Sequence, residues 1–193
     1  MFGYQWNRFY RAAILKEYHI LFEKVILYED YFFNLEVIKH IKKMGILENV
    51  GYHYMKRQNE SITTRYVPEY FELSKRRIVS MYQLYQQWNV QNALIYNILG
   101  ERYLRYILAG LAKSYDKRAT STYRIRKEWL SSIKREDIYK QICQMCPVKQ
   151  KELKIFQFVV NKEAWFFSIE IGRTVWVIKE KLPMLFNKIR KFK

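Results

Sequence analysis

Apolar side chains recur at helical spacing over most of the chain. In residues 29–43 they recur near helical spacing, which predicts a helix that Gly45 ends. The repeating positions are Phe33, Val37, Ile38 and Ile41. A shorter, amphipathic helix is predicted over residues 7–18. Beyond Pro68, helices are predicted over residues 69–88, 91–115, 122–133, 137–144 and 149–191, the last with a break near Gly172 and Pro183.

One segment has a different pattern. Residues 46–55 are rich in branched and aromatic side chains around Gly51, which predicts one or two short strands. A single strand pair cannot form a doubly wound parallel sheet, so an autonomous nucleotide-binding α/β domain is excluded. The sequence predicts a mainly α chain with a small β element, divided into residues 1–67 and 68–193.

Charge changes the picture in the second half of the chain. The 193 residues carry 35 Lys and Arg against 18 Asp and Glu, a net charge of +17. Residues 102–135 contain ten basic and two acidic side chains, and residues 149–193 contain eleven and four. This clustering favours an anionic partner for the second half, a membrane surface or nucleic acid. The alternative is that these lysines and arginines only solvate helix faces.

Neither a membrane span nor a secretory signal is predicted. Residues 78–100 lack charge but contain seven Gln and Asn side chains, which are too costly in lipid. The first eleven residues lack the order of a secretory signal, so we place the chain in the cytoplasm. The basic and aromatic tail that begins near Lys149 suits a helix lying on a membrane surface or, equally, a docked terminal helix with a basic outer face.

Cys143 and Cys146 form a single C-x-x-C motif. A second ligand pair and a nearby histidine are missing, so the motif has half the donors of a structural zinc site. We interpret the pair as two ordinary thiols near a helix end and predict no metal ligands in this chain.

The adjacent carboxylates Glu29 and Asp30 are the main candidates for chemistry, because the chain has only three aspartates. They can be helix-start residues that the helix dipole stabilises. They can also supply a general base held at the start of a helix, within reach of a substrate hydroxyl. The pair alone leaves both interpretations open.

The motifs around this pair occur in a characteristic order. Gly-Tyr-Gln-Trp-Asn-Arg-Phe-Tyr-Arg occupies residues 3–11, Tyr-Phe-Phe-Asn-Leu directly follows the pair, and Tyr-His-Tyr-Met-Lys-Arg begins at residue 52, with Ser61 beyond it. The order resembles the C-terminal half of the catalytic domain in bacterial family 2 glycosyltransferases, which build capsular, exopolysaccharide or lipopolysaccharide chains. The resemblance covers residues 3–65 and is one of composition thereafter. It implies that residues 1–67 are the C-terminal part of a GT-A-type catalytic domain, followed by a helical C-terminal region.

The resemblance also implies roles for individual residues. Asp30 matches the base of an inverting displacement, and Glu29 orients the acceptor or the backbone beside it. Trp6 and Asn7 match a substrate-binding segment in which the indole packs on a sugar ring, although a core tryptophan is an equal alternative. Arg57 matches a position near the donor diphosphate, and His53 is a weaker candidate for substrate binding.

The chain departs from the family in one respect. It contains no Asp-x-Asp, the family motif that holds Mg²⁺ or Mn²⁺ against the diphosphate of a nucleotide sugar, most often a UDP-sugar. We therefore expect a truncated or split enzyme that is inactive alone, with the donor half on another chain or in a longer protein. The implied partners are the nucleotide sugar, a saccharide or lipid-linked acceptor, and the inner face of the bacterial membrane.

A non-enzymatic function is the alternative. A basic helical module that binds an anionic membrane surface or nucleic acid would explain the charge of the second half. Nucleic acid is the less expected partner, because the sequence has no RNA-binding signature and no zinc finger.

Overall fold

The computed structural model of the chain describes residues 5–48, 66–90, 92–144 and 146–182. The chain divides into two compact units, Met1–Val67 and Pro68–Lys193, called here the N-terminal and C-terminal units. The described residues form eight helices and no strand. The fold is therefore mainly helical, and neither the predicted β element nor the GT-A assignment is established by it.

The N-terminal unit contains helices α1 (Ala12–Glu17) and α2 (Glu29–His40). A cluster of Ile20, Phe33 and Val37 joins them, with Ile14 and Leu15 of α1 packed against it. The helix predicted over residues 29–43 is confirmed as α2, and most of its residues are buried. Its buried residues are Tyr31, Phe32, Phe33, Asn34, Leu35, Val37 and Ile38.

The strand predicted over residues 46–55 is only partly covered by the structure. Residues 46–48 form no strand, and the side chains of Ile46 and Leu47 are exposed. Residues 49–55 lie outside the described residues.

The C-terminal unit contains six helices. They are α3 (Tyr70–Gln87), α4 (Ala93–Lys113), α5 (Tyr123–Arg135), α6 (Asp137–Ile142), α7 (Lys151–Asn161) and α8 (Trp165–Lys181). Two N-caps follow the sequence rules, because the Asn92 side chain accepts from the N–H of Leu94 and Thr122 accepts from Ile125.

Helix α4 is the central element of this unit and packs against α3, α6, α7 and α8. Its residues Tyr103, Leu104, Ile107 and Leu111 are fully buried. The end of α6 approaches α4 so closely that position 100 must be glycine. A Cβ at Gly100 would overlap the carbonyl oxygen of Ile142 and lie 2.9 Å from its carbonyl carbon. The apolar run that resembled a membrane span is thus part of two helices of a packed core.

The break predicted near Gly172 is wrong. Gly172 lies inside α8, where a Cβ would come within 2.5 Å of Leu111 Cγ, so the glycine serves close packing. The chain turns instead at residues 162–164, where Glu163 adopts a φ of 56°. The N–H of Glu163 donates to Val160 and that of Ala164 to Val159, which is the Schellman pattern that ends a helix. Pro183 lies outside the described residues.

Candidate active site

Helix α2 begins with the two candidate carboxylates, Glu29 exposed and Asp30 half-buried. The residue before them, Tyr28, has a φ of 68° in the left-handed region. Such a conformation costs a residue with a bulky side chain about 1–2 kcal/mol. Backbone strain of this kind is enriched at functional sites, so the start of α2 is a candidate site.

The other positive φ angles among the described residues have a simpler explanation. His19, Asn89 and Glu163 each stand just after a helix end and make Schellman hydrogen bonds. Tyr28 ends no helix, because it is the residue from which α2 begins. It is the N-cap residue of α2 and makes no side-chain cap hydrogen bond, so the end of a helix does not explain its positive φ.

A polar network joins residues 5–10 to the start of α2. The main-chain carbonyl of Asp30 accepts hydrogen bonds from Asn34 Nδ2 at 2.7 Å and from Gln5 Nε2 at 3.2 Å. The Tyr10 hydroxyl lies 2.6 Å from Asn34 Oδ1 and also contacts Gln5 Oε1. These contacts fix the backbone of Asp30 without using its carboxylate.

The Asp30 carboxylate itself has no hydrogen bond or ion pair with the residues that the structure describes. Burial, and to a smaller extent the charge of Glu29, raises the pKa of the Asp30 carboxyl above its ordinary value. A higher pKa makes the carboxylate a stronger proton acceptor. Burial likewise raises the pKa of Tyr10, so its hydroxyl remains a hydrogen-bond donor.

The structure links the segment of Trp6 and Asn7 to Asp30 only through the neighbouring Gln5. Trp6 and Asn7 are exposed and directly follow Gln5, whose side chain reaches the carbonyl of Asp30. Trp6 is 39% exposed, so it is not a core tryptophan. His53 and Arg57 lie outside the described residues, and their roles stay predictions.

Three residues of this network were not among the sequence candidates: Gln5, Tyr10 and Asn34. One sequence signal was available, because Asn34 is a polar residue within an apolar helical stretch. Only 1% of Asn34 is exposed, and its amide is satisfied at both ends. A buried amide of this kind fixes local geometry because alternative arrangements leave it unpaired.

Replacing Tyr10 with phenylalanine is expected to destabilise the N-terminal unit by about 1–2 kcal/mol, since buried Asn34 Oδ1 loses its donor. Amide hydrogen exchange in α2, measured by mass spectrometry, reports the stability of the N-terminal unit separately from that of the rest of the chain. Tyr123→Phe is the control, because Tyr123 is exposed and a surface change stays within about 0.5 kcal/mol. Equal protection of α2 in both variants would contradict the role of the network.

Replacing Asp30 with asparagine is expected to leave the N-terminal unit as stable as wild type, or more so, at pH 7. The raised pKa means that the native state holds the Asp30 proton more tightly than the unfolded chain does. Ionised Asp30 therefore opposes folding above its ordinary pKa, and that cost disappears as the pH falls. The difference in stability between the variant and the wild type, measured by hydrogen exchange of α2, should therefore become smaller as the pH is lowered from 7 to 4. A variant that is less stable at pH 7 would show that the carboxylate stabilises the helix start.

The cysteine pair has the predicted position near a helix end. Cys143 follows α6 directly, and both thiols are buried against α4. Cys143 Sγ donates to the carbonyl of Gly100 at 3.4 Å, and Cys146 Sγ donates to that of Asn97 at 3.2 Å. The part of the chain that the structure describes contains no group of three metal-ligating side chains.

The basic side chains of residues 102–135 are largely engaged within the C-terminal unit. Arg126 lies 3.7 Å above the Tyr115 ring and donates to Ser114. Further partners are Glu101 for Arg105, Asp116 for Arg118 and Glu163 for Lys134. These contacts leave fewer free cations on this segment than its composition indicated.

None of the helices in the described ranges combines the length and the apolar character needed to cross a bilayer. Comparison with known proteins assigns no family: no family model matches the chain, and no curated protein or solved structure matches it either.

Proposed function

We propose that the N-terminal unit is the acceptor-side part of an inverting family 2 glycosyltransferase and that Asp30 is its general base. The supporting observation is the Asp30 site itself. Its backbone is held by Gln5 and Asn34, its carboxylate has no partner among the described residues, and its pKa is raised. This is the arrangement that proton abstraction from an acceptor hydroxyl requires.

The proposed reaction is a single in-line displacement. The acceptor oxygen attacks the anomeric carbon, its proton passes to the Asp30 carboxylate, and the bond to the nucleoside diphosphate breaks with the electron pair on the departing oxygen. Exposed Trp6 offers an aromatic face for the acceptor ring, and Asn7 beside it offers an amide for a sugar hydroxyl. In this proposal Arg57 binds near the donor diphosphate, and His53 is a weaker candidate for substrate binding.

The described residues do not fit a divalent metal. They include no cluster of three acidic, histidine or cysteine side chains, and the sequence has no Asp-x-Asp. We therefore derive no step through a metal and assign the nucleotide sugar no contact beyond Arg57. We further propose that the reaction takes place at the cytoplasmic face of a bacterial inner membrane, where lipid-linked acceptors are available.

A transfer assay tests this proposal. The purified chain is added to an extract of source cells that lack its gene, together with radiolabelled UDP-glucose, UDP-galactose or UDP-N-acetylglucosamine. We expect label to enter lipid-linked or polymeric saccharide only when the chain is present. Incorporation that is the same with and without the chain, for every donor in the panel, contradicts the function.

The alternative of a nucleic-acid-binding module is not put forward. Ion pairs and a cation–π contact engage several of the basic side chains of residues 102–135 within the unit itself. No observation among the described residues favours nucleic acid over another anionic partner.

A further inference from the structure

Three exposed phenylalanines lie at one end of the hairpin formed by α7 and α8. Phe158 stands one turn before the loop of residues 162–164, and Phe166 and Phe167 lie in the first turn after it. Their exposed fractions are 62%, 59% and 62%. The rings of Phe166 and Phe167 contact each other edge to face, with centroids 5.6 Å apart. We call these three residues the aromatic tip.

The hairpin holds the aromatic tip outward. Both helices are anchored in the core through Phe156, Val160 and Ile169, so rotating either helix would expose these side chains. The loop is fixed by its Schellman hydrogen bonds and by Lys134, whose ammonium donates to the carbonyl of Asn161 and to Glu163. Clustered apolar side chains that the fold keeps in solvent mark an interaction site.

The unpaired charges nearest the aromatic tip are positive. Exposed Lys154 lies one turn before Phe158, and exposed Lys162 lies one turn after it. Lys151 is at the far end of α7, beside the exposed Glu152. None of the three forms an ion pair with a described residue. The one acidic residue of the loop, Glu163, is paired with Lys134, which holds the pKa of its carboxyl below the usual range.

We propose that the aromatic tip inserts into the headgroup region of an anionic lipid membrane, with the lysines of α7 and the loop contacting lipid phosphates. Large apolar side chains bordered by lysine are the composition that binds a membrane interface, because apolar burial and attraction to anionic lipid act together. The whole length of α8 does not lie on the membrane in this arrangement, since Ile169 and Gly172 face the core. The inference concerns the C-terminal unit and does not depend on the role of Asp30.

Co-sedimentation of the full chain with sucrose-loaded vesicles tests the proposal. The vesicles contain phosphatidylcholine alone, or phosphatidylcholine and phosphatidylglycerol at a ratio of about seven to three. We expect the triple variant Phe158→Ser, Phe166→Ser, Phe167→Ser to bind the anionic vesicles about tenfold or more weakly than wild type, because insertion scales with buried apolar area. The control is Leu94→Ser, Ile98→Ser, which changes two similarly exposed apolar residues of α4 and should bind as wild type does.

A charge variant separates insertion from simple electrostatic adsorption. Lys151→Gln, Lys154→Gln, Lys162→Gln should weaken binding to anionic vesicles and leave any binding to neutral vesicles unchanged. Circular dichroism establishes that each variant keeps its helices. The proposal is overturned if the phenylalanine variant binds like wild type, if the α4 control loses as much, or if the phenylalanines mediate self-association in solution while vesicle binding is absent.

Discussion

Asp30→Asn is expected to lower the rate of sugar transfer by about 10²–10⁴-fold, the usual contribution of a general base. Asparagine keeps the size of the side chain and a helix-start hydrogen-bonding group, but it cannot accept the proton of an attacking hydroxyl. The Gln5 and Asn34 hydrogen bonds go to the main-chain carbonyl, so they survive the substitution. The loss should therefore appear in kcat, with little change in the affinity for acceptor.

The matched control is Asp137→Asn. Asp137 also begins a helix, α6, and its side chain is 88% exposed. It should leave transfer unchanged in the same extract-based assay. A kcat for Asp30→Asn within about twofold of wild type, with acceptor saturating, would remove Asp30 from the proton-transfer step.

Gly100→Ala is expected to lower the free energy of unfolding of the C-terminal unit by about 3 kcal/mol, the upper part of the usual range for overpacking. The added methyl group would overlap the carbonyl oxygen of Ile142 and come within 3.1 Å of Cys146 Cβ. A main-chain carbonyl cannot turn aside as a flexible side chain can. Helices α4 and α6 would have to separate, which opens the most buried part of the core.

Gly110→Ala on the same helix provides the comparison. Its nearest neighbours would be Trp129 Cη2 at 3.2 Å and Phe71 Cβ at 3.3 Å, contacts that a small shift relieves. The higher helix propensity of alanine, about 1 kcal/mol, offsets that shift and leaves little net change. Urea unfolding followed by far-ultraviolet circular dichroism measures both variants. Equal stabilities for the two would show that α4 and α6 separate at little cost.

The helices of the C-terminal unit were predictable because their signals are local. Asn92 and Thr122 are the N-cap residues of α4 and α5, and the spacing of apolar residues indicates the extent of each helix. The predicted ranges 69–88, 91–115 and 122–133 therefore agree with α3, α4 and α5 to within a few residues. The break between α7 and α8 was missed because Glu163 is a poor signal for a left-handed residue. Gly172 gave a false signal, since its role depends on Leu111, which is distant in the sequence.

The candidate site was predictable in part for the same reason. That Glu29 and Asp30 begin a helix follows from the pattern beside them, and the structure confirms it. The link from Gln5 and Tyr10 to the same helix depends on side chains about 25 residues away in the sequence, which periodicity does not reveal. The left-handed Tyr28 was also beyond prediction, because an aromatic residue rarely adopts that conformation.

The packing of the two cysteines gives the chain a built-in reporter of unfolding. Burial raises the pKa of both thiols, most strongly that of Cys143, so the reactive thiolate is scarce while the fold is intact. The sequence contains no other cysteine, and both belong to the C-terminal unit. The rate of alkylation therefore follows the opening of the contact between α4 and α6, separately from events in the N-terminal unit. It requires no label, no engineered residue and no change to either proposed site.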